Sequence, residues 1–384
     1  MKQTSHIELH AENYRKNISF IREQIGSGCQ LSSVIKGNAY GHGIESFAPL
    51  AETCGINHFS VFSAYEAYRL SKVSDGNSTI VIMGVADSDE ELEWAVNKQV
   101  EFFVYDTDRL LHAIQCAKKL RKKAFIHIEL ETGMNRTGFS SSDLLQAVSI
   151  IEENRDHLVL RGLCTHFAGA ESIANYFRIK QQIISFSKFR KFLLGRNLNF
   201  DYQHLACSAA IINYPSTINN MVRVGIMQYG FWPNRETQMK HFTKVQSHEN
   251  PLHPVISWKS RVMGVKDVRE GEFISYGTSV LAEKNMKIAT IPVGYSHGFS
   301  RSLSNQGKVL IRGKRLDVTG LVNMNMLIVD ITNAPEIEKG DEVVLIGNQG
   351  DLAISVASFG ELSNQLNYEL LTRLPEEIPR RVVY

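Results

Sequence analysis

The sequence is poor in cysteine, and the few cysteines it has show no pattern. The 384 residues include five, scattered singly and without the Cys-x-x-Cys spacing typical of zinc sites. An odd, unpatterned set argues against a disulfide framework, so we expect reduced, mostly buried thiols and no metal site. The cysteines are Cys29, Cys54, Cys116, Cys164 and Cys207.

Strong net charge and long apolar runs are absent as well. The formal net charge is +2, with no basic tract, which argues against nucleic acid or an anionic membrane surface as a partner. No stretch approaches the length of a membrane span, and the first eight residues hold no apolar run before a small-residue cleavage site. We therefore expect a cytoplasmic protein.

The length of 384 residues, with 43% hydrophobic residues, predicts two domains that can each bury a core. From Ala11 onward, helical periodicity alternates with short apolar runs, a pattern typical of β-α units around a parallel sheet. Eight such units predict an N-terminal (β/α)8 TIM-type barrel over residues 1–245. An open doubly wound sheet is the structural alternative, but no Gly-x-Gly-x-x-Gly turn supports it. The predicted strands are Leu31–Ile35, Phe59–Phe62, Thr79–Met83, Phe102–Tyr105, Ala124–Leu130, Val159–Cys164, Tyr202–Ala206 and Val222–Met227.

Beyond about residue 245 the helical rhythm stops, and short alternating strands separated by turns take over. This pattern predicts a C-terminal β-strand domain over residues 246–384, which the first ten or so residues, including Ile7–Leu9, can join. The predicted strands are Val255–Val262, Lys287–Pro292, Lys308–Ile311, Leu327–Ile331 and Glu342–Ile346.

In barrel enzymes the chemistry lies where the strands end at the carboxyl-terminal face. The first predicted strand ends at Lys36, and a glycine-punctuated polar turn follows it through Gly43. One interpretation is a lysine that forms a Schiff base with a carbonyl cofactor, because a partly desolvated amine is a good nucleophile. The alternative is a strand-end lysine that extends to solvent. Polar segments follow other strands too: Glu131–Arg136, Thr165–Ala168, His204–Ser208 and Arg223–Ile226.

The segment from Lys36 to Gly43 closely resembles the K-A-N-A-Y-G-H-G motif of the alanine racemases, with Gly37 as the only difference. The resemblance implies that Lys36 carries pyridoxal 5'-phosphate and that Tyr40 helps to hold its phosphate. It also implies an amino-acid racemase of two domains, with D-alanine supply for the cell wall as its role.

Further motifs extend the resemblance along the chain. Residues 132–136 resemble T-G-M-x-R, whose arginine, here Arg136, contacts the cofactor's phenolic oxygen and the substrate carboxylate. Arg223 opens a run similar to R-x-G-I-x-x-Y-G, in which the arginine donates to the pyridine nitrogen. An arginine is always protonated, so it keeps that nitrogen unprotonated and weakens the electron sink. By the resemblance, the phosphate-binding residues are Tyr40, Ser208, Gly225, Ile226 and Tyr368.

Racemisation needs proton exchange on both faces of the substrate's alpha carbon, and therefore two bases. Residues 275–277 resemble the family's S-Y-G motif, which makes Tyr276 the second base beside Lys36. By the resemblance, this tyrosine reaches the neighbouring subunit's site in a homodimer, and His166 hydrogen-bonds it. Met324 and Tyr295 are implied in substrate binding. Without the other motifs, Tyr276 would be a turn aromatic.

The chain departs from the family at three places. His297 replaces an acid and Phe299 a tyrosine in a run similar to G-Y-x-D-G-Y-P-R, and both changes are expected at the substrate entrance or pocket. Asn323 and Asn325 fall in the segment that reads C-M-D-Q in the family. Glu129 stands where the family often has a carbamylated lysine, so we predict that Glu129 pairs with Arg136.

Three alternatives stay open from the residues and the resemblance. A racemase of another amino acid, such as serine, is one alternative, because His297, Asn323 and Asn325 depart from the family's pattern. A decarboxylase of basic amino acids has a similar two-domain plan, but it would place an acid where Arg223 stands. A non-catalytic protein that binds the cofactor would need only the barrel, and Tyr276 on a second domain argues against it.

Overall fold

The computed structural model of the chain describes residues 3–357, 359 and 367–384. The chain folds as two compact units. One, which we call the barrel unit, comprises Asn13–Lys36 and Ala48–His253. The other, which we call the β unit, comprises Met1–Glu12, Gly37–Phe47 and Pro254–Tyr384.

Strand β1, His6–His10, belongs to the β unit, and the next eight strands form one parallel sheet in the barrel unit. The order in the sheet is β8-β7-β6-β5-β4-β3-β2-β9. A bridge between Cys207 and Arg223 joins the ends of this order, so the predicted barrel is confirmed. The strands are β2 (Gln30–Val34), β3 (His58–Ser63), β4 (Thr79–Val85), β5 (Glu101–Val104), β6 (Ala124–Glu129), β7 (Leu158–Cys164), β8 (Tyr202–His204) and β9 (Met221–Val224).

Helices alternate with these strands, and several of them start at a residue whose side chain caps the helix. Ser88 and Glu91 form a reciprocal capping box, and Asp106 and Ser140 accept from the backbone of the helices that follow them. The helices that alternate with the barrel strands are Ala11–Ile25, Ile44–Thr53, Ala64–Ser71, Asp89–Lys98, Thr107–Leu120, Ser141–Glu153, Tyr176–Gly195, Ser208–Asn213 and Arg235–Val245.

The predicted eighth strand, Val222–Met227, is too long. Strand β9 ends at Val224, and Ile226–Tyr229 forms a short 3-10 helix instead. The buried Gln228 holds this turn, because its amide donates to the carbonyl oxygens of Val34 (3.0 Å) and Val224 (2.9 Å). The apolar run continues past the strand because the turn is also buried.

The β unit is built mainly of strands, as the alternating pattern predicts, and these strands form two sheets. One has the order β14-β13-β16-β10-β1-β18, with β17 on β16, and the other β11-β12-β15. Strand β1 pairs antiparallel with β10 and parallel with β18. The strands are β10 (Ile256–Arg261), β11 (Gly264–Val268), β12 (Met286–Ile291), β13 (Lys308–Ile311), β14 (Lys314–Asp317), β15 (Leu327–Asp330), β16 (Glu342–Gln349), β17 (Leu352–Ile354) and β18 (Arg380–Val383).

Phe299 belongs to the core of the β unit, which corrects the expectation that it lies at a substrate entrance. Its side chain is fully buried. The ring lies 5.5 Å from the ring of Phe359 and 6.4 Å from that of Trp258, between ring centroids. A hydroxyl at this position would need a buried partner, so the apolar residue suits the core.

The segment after Lys36 turns with left-handed backbone angles. Gly37, Asn38 and Ala39 have φ and ψ of 61° and 47°, 54° and 50°, and 54° and 48°, and Tyr40 has φ of 52°. This conformation costs about 1–2 kcal/mol for each residue that is not glycine. Tertiary contacts must therefore hold the turn in place.

Contacts inside the β unit supply that support. The amide of Gly43 donates to the carbonyl oxygen of Asn38 (2.9 Å), and the side chain of Asn38 accepts from the amide of Ile44 (3.1 Å). Arg380 donates to the carbonyl oxygen of Gly41 (3.0 Å). The backbone of Gly41 packs so closely on Leu371 that a Cβ atom would lie 1.8 Å from the Leu371 carbonyl oxygen.

The structure describes all five cysteines, and none forms a disulfide. Cys116 and Cys164 are buried and the other three are partly exposed. Among the described residues, no cluster of histidine, cysteine and acidic side chains could hold a metal ion. No helix in the described part of the chain is long and apolar enough to cross a bilayer.

Gly41→Ala should destabilise the protein far more than Gly37→Ala. At Gly41 the new methyl group meets backbone at φ +81°, whereas at Gly37 the nearest atom is the side-chain Cγ2 of Thr372 at 3.3 Å. We expect losses in unfolding free energy of about 3 kcal/mol or more for Gly41→Ala and about 1 kcal/mol for Gly37→Ala. Urea unfolding of both variants measures this, and equal losses would contradict the contact.

Candidate active site

Lys36 lies two residues beyond Val34, the last residue of β2, at the carboxyl-terminal end of the strand. Its side chain reaches solvent. The pKa of Lys36 is nevertheless lowered, first by desolvation among neighbouring atoms and then by the positive charges of Arg136 and Arg223, while Glu66 opposes the shift. An amine with a lowered pKa is more often unprotonated, and hence nucleophilic, than an ordinary surface lysine.

Arg223, in β9, is buried and held by three hydrogen bonds. Nη1 donates to the carbonyl oxygen of His204 (2.9 Å) and, in a short contact, to Nδ1 of the same residue. Nη2 donates to the carbonyl oxygen of Thr165 (2.8 Å). Within the described part of the chain Nε makes no hydrogen bond. The guanidinium is therefore fixed in orientation, with Nε and one N–H of Nη2 still available as donors.

A chain of buried side chains runs from Arg223 across the barrel. Nε2 of His204 lies 2.8 Å from Nδ1 of His127, and Nε2 of His127 lies 2.6 Å from Oε2 of Glu101. The other oxygen of Glu101 accepts from Nε of Arg161 at 2.6 Å. The two histidines are completely buried, and Glu101 is 2% exposed.

The direction of hydrogen bonding along this chain follows from Arg223, because a guanidinium can only donate. Nδ1 of His204 must accept from it, so the proton of His204 is on Nε2. That proton points to Nδ1 of His127, which places the proton of His127 on Nε2, facing Glu101. Each member thus fixes the tautomer of the next.

The pKa shifts agree with this assignment. Burial, and then the charge of Arg223, lowers the pKa of His204 well below its usual value, so the imidazole is neutral. Burial also lowers the pKa of His127, against the influence of Glu101. Burial alone would raise the pKa of Glu101, but its interactions with His127 and His58 outweigh burial and lower it. This series of hydrogen bonds therefore joins two cations, Arg223 and Arg161, through two neutral histidines and one carboxylate.

Ser208 and Gly225, two residues of the expected phosphate site, are in direct contact. The amide of Gly225 donates to Oγ of Ser208 (3.1 Å), and the side chain of Ser208 is buried. Ile226 opens the 3-10 helix that follows. The turn after β9 and the start of the helix after β8 thus meet at one place.

The charges of Lys36 and Arg136 affect the pKa of His166, and the charge of Arg136 affects the pKa of Lys36. Burial lowers the pKa of His166 to about 3, and the charges of Arg223, Arg136 and Lys36 add to the shift. A neutral imidazole offers one acceptor nitrogen, which suits a hydroxyl donor. Lys36, Arg136, His166 and Arg223 of the barrel unit therefore lie near enough to affect one another electrostatically.

Glu129, at the end of β6, is 5% exposed, and its Oε2 accepts from the hydroxyl of Thr137 at 2.8 Å. No ion pair joins it to Arg136 within the described residues, so the predicted direct pairing is not formed. The pKa of Glu129 is raised, because burial outweighs the opposing influences of Thr137, Arg223 and Arg136. The carboxylate thus acts on Arg136 only through space.

The remaining predicted residues lie in the β unit. The rings of Tyr40 and Tyr368 are in edge contact, with centroids 6.3 Å apart. Tyr276 is 69% exposed and lies beside Met324 in the wall of a cavity of about 450 Å³. The amide of Tyr295 donates to the carbonyl oxygen of Asn323 (3.0 Å), in the same segment as Met324.

Pyridoxal phosphate fits the donors that these residues leave available. Lys36 offers an amine of lowered pKa, and the uncommitted Nε of Arg223 can donate to a ring nitrogen. Ser208 and Ile226 offer a hydroxyl and a backbone amide of the kind that bind phosphate. The residues present are thus chemically suited to the cofactor that the resemblance implies.

Sequence reasoning did not identify Gln228, Glu101 or His127 as part of the site. Gln228 accepts from the hydroxyl of Ser33 (2.7 Å) as well as holding Val34, so it braces the strand that ends at Lys36. The sequence feature that could have identified Glu101 and Gln228 is a polar residue within or beside an apolar run. Glu101 opens the run Glu101–Val104 and Gln228 interrupts the run after β9.

Glu101→Gln tests the buried chain, because it keeps an acceptor for His127 but removes the charge that pairs with Arg161. We expect the unfolding free energy at pH 7 to fall by about 2–3 kcal/mol. The pKa of Glu101 is lowered in the folded state, so its negative charge stabilises the fold fully at pH values above 4.5, the ordinary pKa of a glutamate. Below pH 4.5 this stabilisation decreases. The difference between variant and parent should therefore shrink towards pH 3.

Glu93→Gln is the matched control, since Glu93 pairs with the exposed Lys119. We expect it to change the free energy by no more than about 1 kcal/mol. Denaturant unfolding between pH 3 and pH 8 provides both values. A loss in Glu101→Gln that does not vary with pH would show that its charge is unimportant.

Comparison with known proteins agrees with this geometry. Residues 9–233 match the alanine racemase N-terminal domain, and residues 255–382 match the alanine racemase C-terminal domain. Among relatives, the alanine racemase of Methanococcus maripaludis is 34% identical, over 97% of both chains. That of Leptospira interrogans is 32% identical, over 100% of this chain and 97% of its own.

Solved structures are similar over the same length. Alanine racemase from Bacillus anthracis with bound L-Ala-P superposes with a TM-score of 0.90 at 28% identity, covering 100% of this chain and 96% of its own. Alanine racemase from Bartonella henselae with covalently bound pyridoxal phosphate has a TM-score of 0.83 at 23% identity, covering 100% of both chains. The chain belongs to the alanine racemase family.

Proposed function

We infer that the protein is a pyridoxal-phosphate-dependent racemase that interconverts L- and D-alanine. Two features of the barrel unit carry this inference. Lys36 has an amine of lowered pKa, and Arg223 has a guanidinium that is fixed in orientation but whose Nε makes no hydrogen bond within the described residues. Full-length relatives named alanine racemase support the same activity.

We propose that Lys36, Tyr40, Ser208, Arg223, Gly225, Ile226 and Tyr368 hold the cofactor. When bound, pyridoxal phosphate would supply a carbonyl group that links to an amine and draws electrons from the substrate's alpha carbon. Arg223 would donate to the ring nitrogen and, because it never releases its proton, keep that nitrogen unprotonated. This choice limits electron withdrawal, which suits proton exchange better than decarboxylation.

Proton exchange then falls to two side chains on opposite faces of the substrate. We propose that Lys36 exchanges the proton of the D enantiomer and Tyr276 that of the L enantiomer. His166 would accept a hydrogen bond from the tyrosine, since its lowered pKa keeps an acceptor nitrogen available. Arg136 would bind the substrate carboxylate, with Met324 and Tyr295 as further contacts.

We also propose that the enzyme is a homodimer in which Tyr276 completes the site of the partner subunit. Tyr276 and Met324 support this proposal, since both are more than half exposed in the isolated chain although they line one cavity. Large apolar side chains exposed together are typical of surfaces that another chain covers.

A racemase of serine is the second candidate. Asn323 and Asn325 line the same cavity as Tyr276. Their amides could hydrogen-bond a substrate hydroxyl, which an alanine side chain lacks.

The function is tested with Lys36→Ala, Tyr276→Phe and a mixture of the two variants. Each variant alone should lose at least roughly a thousandfold in racemisation of alanine, because each lacks one of the two bases. In the mixture some dimers would hold one intact site, so activity should return towards a quarter of the parent's. Chiral chromatography with L-alanine and L-serine measures the rates and the substrate preference.

Borohydride reduction followed by peptide mapping should place a pyridoxyl group on Lys36 in the parent protein. A label on another lysine would overturn the assignment of the cofactor-binding residue. No recovery in the mixture, after subunit exchange has been verified, would overturn the shared site. Faster turnover of serine than of alanine would favour the second candidate.

We further propose that Glu129 provides the negative charge for which the family uses a carbamylated lysine. Burial and the hydrogen bond from Thr137 hold its carboxylate in place. Arg136 and Arg223 both act on that carboxylate through space. The charge would orient the two guanidinium groups without any need for carbon dioxide.

Glu129→Gln should lower kcat/KM on the order of tenfold, which corresponds to about 1.4 kcal/mol of lost electrostatic stabilisation. Added bicarbonate should not restore it. Glu129→Lys should instead show activity that rises with bicarbonate, because its amine can be carbamylated. Thr137→Val is the control for position, since it keeps the charge and removes only the hydroxyl. Parent-like kinetics in both Glu129 variants without bicarbonate would refute the proposal.

A further inference from the structure

A second cavity lies at the amino-terminal end of the barrel strands. Lys36 lies beyond the opposite, carboxyl-terminal end of strand β2. Its wall includes Thr79 and Glu101, the first residues of β4 and β5, and Arg161 of β7. The volume is about 460 Å³, within the range of sites that bind small molecules. None of the proposed catalytic residues lines it.

Arg161 forms a rigid part of this wall. Its Nε donates to Glu101, and Nη1 pairs with Asp201 in a short contact. Its guanidinium also lies over the ring of Tyr202, 5.2 Å from the centroid. Within the described part of the chain, Nη2 makes no hydrogen bond. The wall thus presents a cation held in one orientation with a donor group still available.

Two lysines add positive charge. Lys72 caps the helix Ala64–Ser71, and Lys98 is the last residue of the helix Asp89–Lys98. A lysine at a helix C-terminus is favourable in itself, which accounts for each position singly. Neither lysine pairs with a carboxylate among the described residues, and both line the same cavity.

Together with Arg161, the two lysines give the wall three cationic groups. The wall contains one carboxylate, Glu101, which pairs with Arg161, and Arg161 also pairs with Asp201. The excess of positive charge in the wall therefore comes from Lys72 and Lys98, which no carboxylate of the described residues balances.

Aromatic rings form another part of the wall. The rings of Tyr68 and Trp94 are in edge contact, with centroids 5.9 Å apart. Tyr68 is 46% exposed, and the amine of Lys72 lies 4.6 Å from its ring centroid. Exposed rings of this kind bind flat ligands through stacking and edge contacts.

We propose that this cavity is a binding site for a small organic anion that carries a planar ring. The anionic group would interact with Lys72, Lys98 and Nη2 of Arg161, and the ring would contact Tyr68 and Trp94. Charge without a ring would leave the aromatic wall uncovered, and a ring without charge would leave the cations unpaired. Both parts of the ligand are therefore required.

Isothermal titration calorimetry on the protein loaded with pyridoxal phosphate tests the site, because the cofactor then fills the catalytic phosphate site. The planar anions are adenosine 5'-monophosphate, benzoate and indole-3-acetate, with adenosine and inorganic phosphate as the single-feature probes. We expect at least one planar anion to bind roughly tenfold or more tightly than either single-feature probe. The same ligand should change the fluorescence of the parent but not that of Trp94→Phe.

Lys72→Met with Lys98→Met keeps the side-chain stems and removes both charges, so it should weaken binding roughly tenfold or more. Lys118→Met is the matched control, since Lys118 lies in the last turn of the neighbouring helix Thr107–Leu120 and does not line the cavity. Binding in this control should equal that of the parent. Failure of all three anions to bind, or equal binding in the double variant, would overturn the proposal.

Discussion

The constraint on which much of this structure depends is that Arg223 can only donate hydrogen bonds. Because Arg223 is buried in β9, its Nη1 and Nη2 groups need acceptors, and the carbonyl oxygens of Thr165 and His204 provide two of them. The imidazole of His204 provides a third, which fixes its tautomer and then that of His127. The proton on Nε2 of His127 then needs an acceptor at the end of this series of hydrogen bonds, which explains the presence of a carboxylate, Glu101, inside the barrel. One side chain thus determines the tautomers of two others across the sheet.

The sequence predicts the fold well where periodicity is local. All eight barrel strands and the change to a β unit follow from alternation over short windows. The eighth strand is predicted too long because a buried turn, stabilised by Gln228, is as apolar as a strand. The short strands β14, β17 and β18 lack enough alternating residues to predict, and pairing with distant partners stabilises them.

Prediction of the site depends on how far apart its members lie in the chain. Motifs identify Lys36, Arg136 and Arg223 because each is part of a contiguous pattern. The bond between His127 and His204 joins residues 77 positions apart, and no local pattern indicates it. The direct pairing of Glu129 with Arg136 fails for a related reason, because the nearby Thr137 hydroxyl provides the closer donor. Spacing along the strand does not determine which of several neighbours a carboxylate contacts.

The left-handed turn Gly37–Tyr40 also affects the order in which the chain assembles. Its backbone is unfavourable for L-residues, so it has no reason to form in the isolated segment. The contacts that hold it come from Leu371 and from Arg380, which is 339 positions away. During synthesis the ribosome makes these partners long after the turn itself. The segment that follows Lys36 is therefore one of the last parts of the protein to become ordered.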